Sequence, residues 1–186
     1  LKAGFGIETD VRDFNEELVI SHDIPISVGY SFEEFLLLYV DLSHNIEHPP
    51  CLAINIKSDG LQNKINSLLE KYQIKNYFLF DMSVPDTLGF IAKNLTAFSR
   101  VSELEGNDTL NEISDGVWLD QFYDNWYDGD FIIRLVEKYN KVCIVSPELH
   151  KREHIGCWKM ISRSPVNIKQ NLMLCTDFPD EAKEYF

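Results

Sequence analysis

Apolar positions along this chain switch repeatedly between the two-residue alternation of strands and the three- to four-residue spacing of amphipathic helices. Residues 5–12 (FGIETDVR) alternate: Ile7 and Val11 fall on one face, and Glu8, Asp10 and Arg12 on the other. Residues 18–22 (LVISH) predict a second short strand, with 13–17 (DFNEE) as the hairpin connection. Ser31 and Glu34 have the spacing of a capping box, and Phe32, Phe35, Leu36 and Tyr39 supply the apolar face of the helix it opens. Further strands are predicted over 51–57, 76–81, 97–101, 116–121, 141–146 and 171–176. Helical patterns separate most of them. One starts at Asp59 or Gly60, with Leu61, Ile65, Leu68, Leu69 and Tyr72 on one side. Others cover 84–93, 130–139 and a segment near 151–160. Asp177 reads as the cap of a final helix, with Pro179 in its first turn and Asp180 and Glu181 suiting its dipole.

Strands alternating with helices, and mostly too apolar to face water, predict an α/β fold with a parallel sheet covered by helices. There is no linker and no low-complexity stretch, so one domain over residues 1–186 is expected. The strand ends choose between an open sheet and a barrel. Each apolar run ends in a polar group: Asp10, His22, Lys57, Asp81, Arg100, Asp120, Ser146 with Glu148, and Asp177. Such a succession fits a (β/α)8 TIM barrel, in which every strand delivers residues to one face. An open sheet would concentrate them at one switch point. No glycine-rich phosphate loop follows any strand.

Composition narrows the partners. Hydrophobic residues make up 45 % of the 186, enough for a substantial core. With 17 Lys and Arg against 30 Asp and Glu, the net charge is −13. That opposes binding of nucleic acid or of anionic membranes through the general surface. No apolar run approaches the roughly 20 residues of a membrane span. The four cysteines, Cys51, Cys143, Cys157 and Cys175, form no CxxC pair, and three lie in apolar runs. They are expected to be buried free thiols in a reducing, cytoplasmic setting.

The chemistry concentrates at the front of the chain. Glu8 and Asp10, two residues apart, share one side of a strand and repel unless a cation intervenes. A hard divalent ion, Ca²⁺ or Mg²⁺, is one resolution; a solvated strand face is the other. Asp59 and Asp177 are expected to act as helix caps. His44 and His48 are four apart, but Pro49 and Pro50 place them in a loop. His150 and His154 have the same spacing without the HExxH glutamate, and are expected on a solvated loop or helix face.

The segment Gly4–Pro25 (GFGIETDVRDFNEELVISHDIP) resembles the glycerophosphodiester phosphodiesterase family, within the phospholipase-C-like phosphodiesterase TIM barrels. Glu8-x-Asp10-Val11 matches that family's metal-binding strand, and His22-Asp23 its catalytic His-Asp. Ile54-Asn55-Ile56-Lys57 stands at the family's Ile-Glu-x-Lys, and Thr176-Asp177-Phe178-Pro179 at its Thr-Asp-x-Pro. The resemblance implies metal-assisted cleavage of a small-molecule phosphodiester, in lipid or glycerol metabolism. Glu8, Asp10 and Asn55 would hold the ion. His22 would transfer a proton, and Lys57 would place positive charge on the phosphate. Arg100, Trp118 and Asp120 would meet the substrate, with Trp118 and Tyr123 able to stack on a sugar.

Two departures from the family pattern matter. Asn55 replaces a carboxylate, and the family's first-strand His-Arg-Gly motif is absent. Leu1-Lys2-Ala3-Gly4 reads as the last turn of a helix with a capping glycine. The chain also falls short of the roughly 250 residues usual for such a barrel. A first βα unit is therefore expected to precede it. The departures motivate an alternative, a catalytically degenerate barrel that binds a phosphorylated ligand or a partner protein. A weaker alternative is a lyase releasing a cyclic phosphate.

Overall fold

The computed structural model describes every residue except Lys2, Val28 and Asn107. The predicted turn at the front falls partly on Lys2 and so lies partly outside the described residues. Gly4 there has φ +83° and donates its N–H to Leu1 O at 2.8 Å. The chain divides into two compact units, Leu1–Ala97 and Phe98–Phe186.

In the first unit, β1 (Ile7–Phe14), β2 (Glu17–Ile20), β3 (Leu52–Ile56) and β4 (Tyr77–Phe80) form a sheet in the order β2-β1-β3-β4. β2 runs antiparallel to β1, and the other neighbours are parallel. The hairpin is tighter than the sequence suggests. Asn15 and Glu16 alone make the turn, at φ +49° and +70°, the left-handed pair that matches strand twist. The helices are α1 (Phe32–Ser43), α2 (Gln62–Lys71) and α3 (Val84–Ile91). The Ser31–Glu34 capping box forms as predicted, with Glu34 N–H on Ser31 Oγ at 3.0 Å and Ser31 N–H on Glu34 at 3.1 Å. Asp59 does not cap α2: its carboxylate accepts from Ser83 Oγ at 3.1 Å. Leu61 occupies the cap position without a side-chain bond, and Asp86 from α3 accepts the Gly60 N–H instead.

The second unit holds β5 (Phe98–Val101), β6 (Gly116–Leu119), β7 (Val142–Val145) and β8 (Leu172–Cys175), all parallel and in sequence order. Its helices are α4 (Asp108–Ile113), α5 (Gly129–Tyr139), α6 (Ile155–Ser162), α7 (Val166–Lys169) and α8 (Pro179–Ala182). Residues 151–154, expected to begin a helix, do not. A 3-10 turn over Pro147–His150 ends at Lys151, whose φ of +59° breaks the helical path. Asp177 is not the cap of α8. Phe178 holds that position, and Asp177 N–H turns to Glu148 Oε1 at 3.2 Å.

In both units alternate strand residues face the helices. Val11, Leu52, Ile54, Ile56 and Leu79 join α1 and α2 in one core. Val117, Leu119, Val142 and Ile144 join α5 and α6 around the fully buried Trp158 in the other. Burying each such side chain contributes roughly 1.5–3 kcal/mol, so the apolar face fixes which residues face the other way. Cys143 and Cys157 are buried, and burial pushes the Cys157 thiol up from its usual range. Cys51 and Cys175 are only partly buried, unlike the expectation for strand-borne thiols.

Gly116 pairs with Phe98 in the register of β5 and β6. A methyl at Gly116 would lie 2.6 Å from the Phe98 ring and 2.9 Å from Lys141 O. Gly116→Ala should therefore destabilise the protein by about 1–3 kcal/mol through overpacking. Urea denaturation measures this, and an unchanged midpoint would contradict the packing described.

Candidate active site

The β1–β3 register sets the first site. Val11 pairs with Ile56, and Asp10 stands directly opposite Asn55. Because Thr9 and Val11 are buried on the other face, Glu8, Asp10 and Arg12 share the side away from the helices, as the alternation predicts. Lys57 follows β3, and its Nζ lies 3.4 Å from Asp10 Oδ1 and 3.2 Å from Asp81 Oδ2. Asp81 leaves β4 at φ +73°, in the left-handed region that non-glycine residues seldom adopt. Three strands of this unit thus deliver an acid, a cation and an acid to one place.

Glu8 keeps solvent access, yet protein atoms crowd its carboxyl. Burial, and then the Asp10 charge, raise its pKa from 4.5 to about 7, against the opposing pull of Lys57 and the Asn55 amide. Asn55 is buried, and its Oδ1 has no hydrogen-bond partner among the described residues. Among the described residues no three His, Cys, Asp or Glu side chains converge as a metal cage. The third donor beside Glu8 and Asp10 is an amide, and Lys57 already neutralises Asp10. The donor set nevertheless fits a hard cation: two carboxylates strained by proximity and one unused carbonyl oxygen.

His22 lies just past β2. Its Nδ1 meets Asp23 Oδ1 at 2.9 Å, and its side chain is 71 % exposed. Its carbonyl accepts from Arg12 at 3.2 Å, while a second Arg12 nitrogen reaches Lys57 O at 2.9 Å. Arg12 therefore ties the segment carrying His22 to the end of β3.

The second unit places Arg100, Trp118 and Asp120 on one side of its sheet, with Arg100 and Trp118 in register. Arg100 pairs with Glu105 at 2.5 Å. Trp118 is buried, whereas Tyr123 is exposed. The Asp120 carboxylate is buried and occupied: Oδ1 accepts Gln121 N–H at 2.8 Å and meets His150 Nε2 at 2.7 Å. His150 and His154 are not on a solvated face. His150 packs against Phe122, with ring centres 5.0 Å apart. His154 lies against Trp158, 3.9 Å from both Glu148 and Glu181. Glu148 is itself a hub that takes hydrogen bonds from Ser146, Thr176 and the Asp177 N–H. His44 and His48 lie beyond the last turn of α1, as expected.

Solved structures share this architecture. A glycerophosphodiester phosphodiesterase from Parabacteroides distasonis superposes with a TM-score of 0.61 at 14 % identity, over 97 % of this chain and 82 % of its own. The fold is that of the glycerophosphodiester phosphodiesterases. One from Agrobacterium tumefaciens gives 0.58 at 15 % identity, over 93 % of this chain and 85 % of its own. A Ca²⁺-dependent phosphatidylinositol-specific phospholipase C from Streptomyces antibioticus gives 0.58 at 10 % identity, over 98 % and 89 %. No family model and no curated protein matches the chain. These likenesses bear out the α/β barrel class expected from the strand ends. Among the described residues no helix is long and apolar enough to cross a membrane.

The raised Glu8 pKa has a stability consequence. The folded state holds the Glu8 proton more tightly than the unfolded chain does. Stability is therefore highest below about 4.5 on this account and declines as pH rises from 4.5 through about 7. Glu8→Gln removes that decline. Urea denaturation of both proteins across this window should show wild type losing stability relative to the variant; parallel curves would refute the assignment.

Proposed function

We propose that this protein cleaves a phosphodiester with a divalent cation, Mg²⁺ or Ca²⁺, held by Glu8, Asp10 and Asn55. One observation carries the reading: a crowded Glu8–Asp10 pair faces a buried amide oxygen that has no hydrogen-bond partner among the described residues. Added positive charge would relieve both. The likeness in fold to diester-cleaving enzymes supports the reaction class. When bound, the ion supplies Lewis acidity to a non-bridging phosphate oxygen. Lys57, steadied by Asp10 and Asp81, adds a fixed positive charge for the anionic substrate. His22, paired with Asp23, exchanges protons with the reacting oxygens. The net charge of −13 does not forbid an anionic substrate, because salt limits its reach to roughly 8–10 Å.

A second reading is a barrel that binds a phosphorylated ligand without turning it over. The ion pairs that already neutralise Asp10 and Asp81 favour it. Calorimetric titration with Ca²⁺ and Mg²⁺ separates the two. The catalytic reading expects binding that Glu8→Gln weakens and Asn55→Asp strengthens. It also expects His22→Ala to lower diester cleavage by about 10²–10⁴-fold. Absence of metal binding at millimolar concentrations, or an unchanged rate in His22→Ala, would defeat it.

A further inference from the structure

Arg12 is the only basic residue of β1, and the reading above gives it no role. It stands on the polar face two residues beyond Asp10, in the first unit with the rest of the site. Its guanidinium donates to two backbone carbonyls from different parts of the chain. One nitrogen reaches His22 O at 3.2 Å, and the other reaches Lys57 O at 2.9 Å. A planar fork with several N–H donors suits such a bridge better than a compact ammonium does. The two acceptors are the backbones of the residues assigned above to proton transfer and to phosphate charge. Printed on one side chain, therefore, is a link from His22 through Lys57 to Asp10.

The two ends of this bridge are not equally firm. Lys57 is anchored without Arg12. Its N–H donates to Val11 O at 2.9 Å, its ammonium lies 3.4 Å from Asp10 and 3.2 Å from Asp81, and it follows a strand that is buried throughout. His22 lies past the end of β2, with its ring 71 % exposed. Ser21 before it donates its N–H to Asp10 O at 3.1 Å, and Ser21 Oγ closes onto Asp23 O at 2.7 Å. Those bonds fix the residues on either side. Among the described residues, the Arg12 bond is the one that holds the backbone of His22 itself. The imidazole leans on Asp23, whose side chain is 95 % exposed, and so exposed a pair holds a ring only weakly. Removing the guanidinium therefore frees His22 and leaves Lys57 in place.

We propose that Arg12 is a positioning residue that ties His22 to the end of β3, and so governs the rate of the chemical step rather than the affinity for the diester. The proposal rests on the phosphodiesterase reading. A proton-transfer group works only when its ring comes within hydrogen-bond reach of the reacting oxygen. A displacement of about 1 Å is enough to cost on the order of 10²-fold in rate. Arg12 acts through His22 and takes no proton.

Kinetics of a glycerophospho-alkyl diester on the full chain, with saturating Mg²⁺ or Ca²⁺, test this. Arg12→Met keeps an unbranched stem and removes the fork. It should lower kcat by about 10–10²-fold while KM changes by less than about threefold. Arg12→Lys retains the charge without the fork and should recover only part of the loss. A double-mutant cycle decides between positioning and a merely structural role. In a His22→Ala background, Arg12→Met should lower kcat by less than about twofold, because no imidazole remains to be misplaced. Circular dichroism checks folding, and where Arg12→Met does not fold the same cycle is run with Arg12→Lys. An unchanged kcat in the Arg12 variant, or an equal loss with and without the imidazole, overturns the proposal and leaves the phosphodiesterase reading standing. A wild-type protein that does not cleave the diester overturns both.

Discussion

The register between β1 and β3 is the constraint on which the first site depends. The pairing of Val11 with Ile56, and of Thr9 with Ile54, puts Val11, Ile54 and Ile56 against α1 and α2. The same pairing puts Asp10 opposite Asn55 on the other face. A slip of one residue would drive Glu8 and Asp10 into a core containing Phe32, Leu36 and Ile65. Desolvating two carboxylates there costs far more than any local contact returns. The hydrophobic face of the strand therefore does more than stabilise the unit: it decides where the acidic groups must stand.

The electrostatics of that face follow from its crowding. Asp10 and Asp81 share the Lys57 ammonium, so two negative charges are balanced by one positive charge. Glu8 is the third acid: burial first, and then the Asp10 charge, hold its proton to about pH 7. Asn55 lessens the problem, since an amide adds no charge where a carboxylate would add another. It also leaves Oδ1 without a donor among the described residues. Replacing an acid with an amide thus lowers the need for a cation and keeps an oxygen that could bind one.

Much of this was legible in the sequence. The alternation in residues 5–12 identifies which side of β1 is polar, and Ser31 with Glu34 locates the start of α1, because both are local effects of period and capping. Asp59 and Asp177 were not legible. A local rule assigns each to the helix that follows, yet their partners, Ser83 and Glu148, come from elsewhere in the chain. The histidines at 150 and 154 were obscured in another way. Four-residue spacing invites a helical reading, but the left-handed Lys151 separates them, so one meets Asp120 and the other lies beside Glu148 and Glu181. A usable clue was present. Asp120 closes one apolar run, and Glu148 and His150 follow the next, past Pro147, which is where adjacent parallel strands bring polar groups together.

The two units build their polar strand ends by one rule and satisfy them by different means. In the second, each buried acid has donors of its own: Asp120 has a backbone N–H and an imidazole, and Glu148 has two hydroxyls and a backbone N–H. Their negative charge is settled within the fold. In the first, three acids depend on one ammonium and one amide, and burial together with that crowding leaves a proton retained on Glu8. A cation gains most where negative charge is least compensated. The charge imbalance, independent of any likeness to other proteins, is what supports the proposed ion site at Glu8 and Asp10.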